Sequence, residues 1–254
     1  FGISSRFFTK DIQPHIYAIY GLVRIADEIV DTYKGTNSLQ LLDDLERATY
    51  DALKSGYSTN PVVHAFALTA RIYGIDRLLI APFFYSMRMD LEPQNYSPSN
   101  YKKYIHGSAE VVGLMCLRVF CNGNNTRYDQ LAPGAASLGS AYQKVNFLRD
   151  LAADYKELGR LYFPGVTFET FDETAKQHIV DDIKKDFSDA LPALRRLPSS
   201  CRKATLISYV YYTDLLNKLE KTPVETIKKT RIRVPSRRKL ALIIRTLVRE
   251  GWNQ

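Results

Sequence analysis

The chain has 254 residues, 45% of them hydrophobic and 24% charged, enough for one large packed core or two small ones. Its net charge of +8 points to an acidic partner, and nucleic acid, anionic lipid or a phosphorylated small molecule would each satisfy that. Cys116, Cys121 and Cys201 are odd in number and lack CxxC spacing, and His15, His64, His106 and His178 are scattered, which argues against a disulfide framework, a zinc site or a histidine cage.

In chain order, the sequence opens at Phe1 without methionine or a signal-like stretch, so we expect it to begin inside a longer gene product, lacking part of an amino-terminal segment. Apolar residues then recur at helical spacing through Tyr17–Asp31, until the breaker Lys34-Gly35-Thr36-Asn37. Leu39, Leu42, Leu45, Ala48 and Leu53 predict a second amphipathic helix, ended by the run from Gly56 to Pro61. Further breakers fall at Glu92-Pro93, Ser97-Pro98, Asn122–Asn125 and Pro164-Gly165. Ser97 or Ser99 is placed to cap the segment through Tyr101 and Tyr104, and Asp172 the one leading into Ile179, Ile183 and Phe187. No useful period-2 segment, internal repeat or low-complexity linker interrupts this pattern. The expectation is all-α: one domain over residues 1–254, a bundle of roughly eight to ten helices. No apolar run nears the roughly 18 residues needed to cross a bilayer.

Two stripes of polar residues stand out. Tyr20, Arg24, Asp27 and Asp31 are spaced by four, three and four, which puts them on one helical face amid Ile19, Leu22, Val23, Ile25, Ala26, Ile29 and Val30. Two carboxylates one turn apart in apolar surroundings repel each other, and a cation between them would remove that penalty. A solvated edge with Arg24 as ion-pair partner is the plainer alternative. Gln143, Asn146, Asp150 and Asp154 form the second stripe, at three, four and four. All four offer oxygen, the donor set a hard cation such as Mg²⁺ prefers, and magnesium commonly shares its shell with substrate phosphates. Here the plainer alternative is a polar face whose carboxylates are offset by Lys144 and Arg149.

At these residues the sequence resembles the phytoene and squalene synthase family, closest to the bacterial phytoene synthases. The early DxxxD is Asp27-Glu-Ile-Val-Asp31, and the later QxxNxxRDxxxD is complete as Gln143, Asn146, Arg149, Asp150 and Asp154. The run Gly159-Arg160-Leu-Tyr162-Phe163-Pro164 resembles the basic-aromatic stretch that follows. The resemblance implies an isoprenoid-synthase-type helical bundle around a central apolar cavity. It implies a prenyl transferase that condenses two geranylgeranyl diphosphates head to head, through a cyclopropyl diphosphate, to phytoene in carotenoid biosynthesis. Dehydrosqualene or squalene synthesis from two farnesyl diphosphates is the alternative within enzymes, and a non-catalytic assembly factor the alternative outside them.

By the same resemblance, Asp27, Asp31, Asp150 and Asp154 carry the chemistry, and with Asn146 they hold Mg²⁺, or Mn²⁺ in its place. Phe1, Tyr20, Arg24, Tyr104, Gln143, Asn146, Tyr211 and Arg231 are implied substrate-binding residues. Gly107-Ser-Ala-Glu-Val-Val-Gly113 is the implied small-residue lining of the prenyl tunnel. NADPH is not expected. His106 stands where the family has tyrosine, and Glu110 where many relatives have glycine.

From Thr226 to Arg249 there is no acidic residue but nine cationic ones, among them Lys228, Lys229, Arg231 and Arg237. A phosphate clamp through Arg231, a basic amphipathic helix on an anionic membrane and a solvated basic face are the three readings. The expected partners are isoprenoid diphosphates and not nucleic acid. The expected location is the cytoplasm, with peripheral contact at the inner face of the membrane left open.

Overall fold

The computed structural model describes residues 4–33, 35–91, 96–158 and 161–251. Phe1, Lys34, the Glu92-Pro93 breaker, and Gly159 and Arg160 lie outside the described residues. Every regular element among those described is helical. A 3₁₀ turn, Ser4–Phe7, leads into α1 (Gln13–Asp27), which continues as a π-helical turn over Glu28–Thr32. Then come α2 (Ser38–Ser55), α3 (Pro61–Tyr73), α4 (Arg77–Met89) and α5 (Pro98–Ile105). A second π turn, His106–Glu110, joins α5 to α6 (Val111–Cys121). The remaining helices are α7 (Asn125–Leu158), α8 (Glu173–Arg195), α9 (Ser199–Lys221), the short α10 (Val224–Ile227) and α11 (Ser236–Gly251).

Helix ends follow the side-chain chemistry. Ser97 Oγ accepts from Asn100 N at 3.2 Å and Asp172 Oδ1 from Ala175 N at 2.8 Å, so both expected caps form. Asn60 and Asp76 cap α3 and α4 in the same way, filling donors that the first turn of a helix leaves unpaired.

The 34-residue α7 runs through the bundle for about 51 Å, packed against α6, α8, α9 and the second π turn. Its apolar positions Leu131, Ala141, Val145, Leu148 and Leu151 are buried. Along the α8 seam, buried Lys144 pairs with Asp182 at 2.5 Å and Asp186 at 2.8 Å, and Ser140 Oγ donates to Asp186 at 2.7 Å. Lys144 and Asp186 are the desolvated members, whereas the Asp182 side chain is 57% exposed, and removing Lys144 would leave the Asp186 charge buried without its ion-pair partner.

Glycine sets the spacing of the second π turn against α7 on one side and α4 on the other. A Cβ at Gly139 would lie 2.6 Å from the Ala109 carbonyl oxygen, and one at Gly107 would lie 2.0 Å from that of Pro82. Only glycine lets these backbones approach so closely.

The expectation about apolar runs needs correcting. Pro98–Cys121, counted through the π turn, is long and apolar enough by length and composition to cross a membrane. Its Tyr104, Ile105, Val111, Met115, Leu117 and Val119 are instead buried in the bundle, where a core helix meets the same compositional demand.

Candidate active site

Between α1, α4, α6, α7, α8 and α9 lies a cavity of about 450 Å³, in the size range of small-molecule sites. Along α7 its wall is read as one face: Leu131, Ala135, Leu138, Gly139, Tyr142, Gln143, Asn146, Asp150 and Asp154. The face changes from aliphatic to oxygen-bearing over about 34 Å. Helix α1 repeats the gradient, with Ile16, Ile19 and Val23 giving way to Asp27 and then Asp31. Both acidic stripes therefore line the carboxylate end of one cavity whose other end is apolar. Phe83, Met87, Cys116, Phe120 and Leu194 complete the apolar part.

Asp31 belongs to the first π turn. The wider turn keeps a residue four places after Asp27 close to the same face, and such turns recur at functional sites. Burial, then the Asp31 charge, pushes the Asp27 carboxyl up to about 6, against a smaller opposing pull from Arg24. The repulsion expected of this pair is thus present, although the Asp27 side chain keeps 44% of its exposure. Arg24 lies 4.0 Å from Asp27 and pairs with Glu28, off the cavity wall. The sequence reading had given Glu28 no part.

On α7, Arg149 donates to Asp150 through Nε at 2.9 Å and Nη2 at 2.6 Å. Arg231 reaches the same carboxylate, Nε to Oδ1 at 2.6 Å. Lys144 is committed to α8 and offsets neither Asp150 nor Asp154. Asp150 thus accepts from two guanidiniums at the rim, each touching both its oxygens, and a guanidinium displaced from it would have its donors free for a phosphate.

Tyr20, Tyr104, Gln143 and Asn146 all line the cavity, as expected. Tyr104 is buried and donates its hydroxyl to Asp90 Oδ2 at 2.9 Å; burial and the Asp90 charge hold its phenol well above the usual range. Asp90, itself buried and in the cavity wall, was not singled out from sequence because it belongs to no spaced motif. Tyr162 stacks on Phe147 with ring centroids 3.9 Å apart, sealing the wall beside Tyr104.

Tyr211 does not line the cavity, whereas its neighbour Tyr212 does. Tyr212 donates to Asn146 Oδ1 at 3.3 Å and stacks on Tyr142, centroids 4.2 Å apart. One residue along a helix is a rotation of about 100°, so Tyr211 turns out from the wall, with Lys239 Nζ 5.5 Å from its ring centroid. Arg231 also lies off the wall and acts on it only through Asp150.

The two departures from the family pattern meet each other. His106 Nδ1 lies 2.9 Å from Glu110 Oε2 across the second π turn, and neither residue lines the cavity. Ser108, Ala109, Val112 and Gly113 do line it, so the tunnel wall here stays free of the Glu110 charge. Ser108 Oγ is buried in that wall without a hydrogen-bond partner among the described residues.

The donor set fits magnesium. It is all oxygen, and Asp27 carries a penalty that a divalent cation would relieve. Among the described residues no three carboxylate, histidine or cysteine groups converge as a ready-made cage.

A family model described as squalene/phytoene synthase matches residues 1–238. The chain is 28% identical to the 15-cis-phytoene synthase of Synechococcus elongatus over 250 residues, 89% of this chain and 80% of that one. It is 24% identical to the 4,4'-diapophytoene synthase of Staphylococcus haemolyticus over 67% of this chain and 58% of that one. In structure it resembles a dehydrosqualene synthase, with a TM-score of 0.80 at 19% identity over 98% of this chain and 90% of that one. It also resembles the squalene synthase HpnC of Alicyclobacillus acidocaldarius, with a TM-score of 0.76 at 20% identity over 87% and 88% of the two chains.

Proposed function

This chain belongs to the squalene/phytoene synthase family, whose members are prenyl transferases, and from that premise we propose that it joins two geranylgeranyl diphosphates head to head to give phytoene. The observation that carries this reading is the single cavity with both acidic stripes at one end and an aliphatic lining at the other. A diphosphate requires the first and a prenyl chain the second.

Asp27 and Asp31 on one side, and Asn146, Asp150 and Asp154 on the other, would hold Mg²⁺, with Mn²⁺ as a substitute. Bound there, the metal supplies Lewis acidity and charge neutralisation for a departing diphosphate. Arg149 and Arg231 would turn their donors from Asp150 to phosphate oxygens, stabilising negative charge as the carbon–oxygen bond breaks. The allylic cation left behind is attacked by the alkene of the second molecule, giving a cyclopropyl diphosphate after proton loss. That compound ionises in turn, rearranges and loses a proton, and no reductant is consumed. NADPH is therefore not expected.

A carbocation lasts only where water is excluded. Phe83, Phe147, Tyr162 and Tyr212 close the wall with aromatic groups, each worth about 0.5–2 kcal/mol toward a nearby cation. The Tyr104 phenol, fixed by Asp90, presents its oxygen without becoming an anion.

The likeness to a dehydrosqualene synthase and a squalene synthase favours one second reading, the same chemistry on two farnesyl diphosphates. Incubation with Mg²⁺ and either geranylgeranyl or farnesyl diphosphate, with and without NADPH, distinguishes the two by the hydrocarbon formed. Absence of any hydrocarbon from either substrate would refute both and favour a non-catalytic relative.

Free, buried thiols at Cys121 and Cys201 fit a reducing compartment, and burial pushes the Cys201 thiol up to about 12. Because substrate and product are lipids, we place the protein in the cytoplasm with a peripheral contact at the inner face of a membrane. We expect no nucleic-acid partner.

A further inference from the structure

Helix α11 carries more aliphatic surface than its packing on α9 covers. Leu240, Ile244 and Val248, one turn apart, are 58%, 54% and 53% exposed. Ala241 is exposed beside them, whereas Thr246 on the opposite side is buried and donates to the Leu242 carbonyl at 2.8 Å. The packed side lies on α9, where Arg238 forms two bonds to Asp214 and Lys239 sits over Tyr211. Arg238 and Lys239 thus hold the helix in this rotation, and the apolar stripe about 12 Å long is left facing outward. The inward side carries the half-buried Leu242, Ile243 and Leu247, so the helix is aliphatic on both sides and its outward stripe is left to be covered by something else.

Charge decides what covers it. Arg237 lies on the stripe's own face and Arg245 at its margin, both exposed, and exposed Lys229 and Arg233 precede the helix. No acidic residue occurs from Thr226 to Arg249. A second copy of the chain meeting this face across a two-fold axis would set these cations against their own equivalents. An anionic lipid surface opposes them with phosphates and accepts the aliphatic stripe just beneath.

We propose that the outward face of α11, formed by Leu240, Ile244 and Val248 with Arg237 and Arg245, is a docking surface for an anionic membrane, on which the helix lies in the interface plane. Arg231, five residues before α11, is bonded to Asp150 at the rim of the cavity. Docking therefore fixes one lip of the cavity close to the lipid in which a prenyl chain dissolves. This face extends the membrane placement proposed above. Vesicle binding is read without turnover, so a protein that binds vesicles yet forms no hydrocarbon, or the reverse, separates the two readings.

The test is flotation of the full chain with phosphatidylcholine vesicles and with vesicles containing phosphatidylglycerol, at low and at high salt. Binding is expected to the anionic vesicles, to fall with salt, and to be at least tenfold weaker on phosphatidylcholine. Ile244→Glu should weaken it at least tenfold, and Arg237→Ser about fivefold, with circular dichroism and melting temperature unchanged. Equal binding to both vesicle types, no binding of the wild-type chain, or undiminished binding by a folded Ile244→Glu variant would each overturn the proposal. A dimer in solution that Ile244→Glu dissolves would overturn it too, in favour of a second copy. The wild-type comparison needs no variant, so it decides even where a substitution unfolds the chain.

Discussion

Arg231 reaches back 81 positions along the chain to set its Nε 2.6 Å from Asp150 Oδ1, an oxygen that already accepts from Arg149 Nε at 2.9 Å. A cation at Asp150 and a guanidinium at Asp150 compete. The pair thus holds the carboxylate in place before substrate arrives, and Arg231 becomes available to phosphate once a cation takes the position.

Two opposite effects are expected of Arg231→Gln. Calorimetric titration with Mg²⁺ in the absence of substrate should give tighter binding, because a competitor for Asp150 is gone. Turnover should fall by about 10–100-fold, as a directed donor to the leaving diphosphate is lost. Stability should change by less than about 1 kcal/mol, since the Arg231 side chain is 46% exposed. Unchanged turnover would remove Arg231 from the phosphate site.

Asp27 makes the metal-free protein pH-sensitive. Its carboxyl holds a proton more tightly folded than unfolded, so stability is lost as pH rises from its ordinary value near 3.8 through about 6. Asp27→Asn should therefore raise the melting temperature at pH 7.5, leave it unchanged near pH 3.5, and lose that advantage when Mg²⁺ is added to both proteins. Partial exposure limits the gain to ~1 kcal/mol or less. The same substitution should cut turnover on the order of 100-fold or more. A lower melting temperature at pH 7.5 would mean that Asp27 is a structural ion-pair partner.

Tyr104 and Asp90 form a buried donor–acceptor pair, so their substitutions should be strongly non-additive. Tyr104→Phe removes one donor from a desolvated carboxylate and should cost about 1–3 kcal/mol in urea unfolding. Adding Asp90→Asn on top should cost less than the two single changes summed. Additive losses would show that the hydrogen bond contributes nothing beyond its parts.

Gly107→Ala tests the closeness of α4 to the second π turn. The new Cβ would meet Pro82 O and Ser86 Oγ, at 2.0 Å and 2.1 Å, so backbone must move. A loss of about 1–3 kcal/mol is expected, with a matching drop in melting temperature. Gly74→Ala is a control of a different kind: no atom lies within 4 Å, and only its φ of 69° opposes the change.

The polar residues of the cavity wall were largely legible in one dimension, because a helix turns spacing into direction. Offsets of three and four put Asp27 with Asp31, and Asn146 with Asp150 and Asp154, on single faces, and all five line the cavity. Caps at Ser97 and Asp172 were readable for the same local reason. The π turns at Glu28–Thr32 and His106–Glu110 were not, since one extra residue per turn leaves no compositional mark. Asp90 went unseen because its partner lies fourteen residues on, in another helix. Tyr212 went unseen because it belongs to no spaced polar stripe, and its place in the wall depends on how α9 is rotated against α7.

The order of residues thus determined the helices, their polar faces and the hard-cation character of the donors, all of which follow from local geometry and side-chain chemistry. Which faces meet was decided only in three dimensions. Lys144 turned to α8 and Arg149 and Arg231 to Asp150, His106 took Glu110 away from the tunnel, and α11 kept its aliphatic stripe outside. Those choices depend on desolvation and on competition among charges far apart in the chain, which no interval along the sequence records.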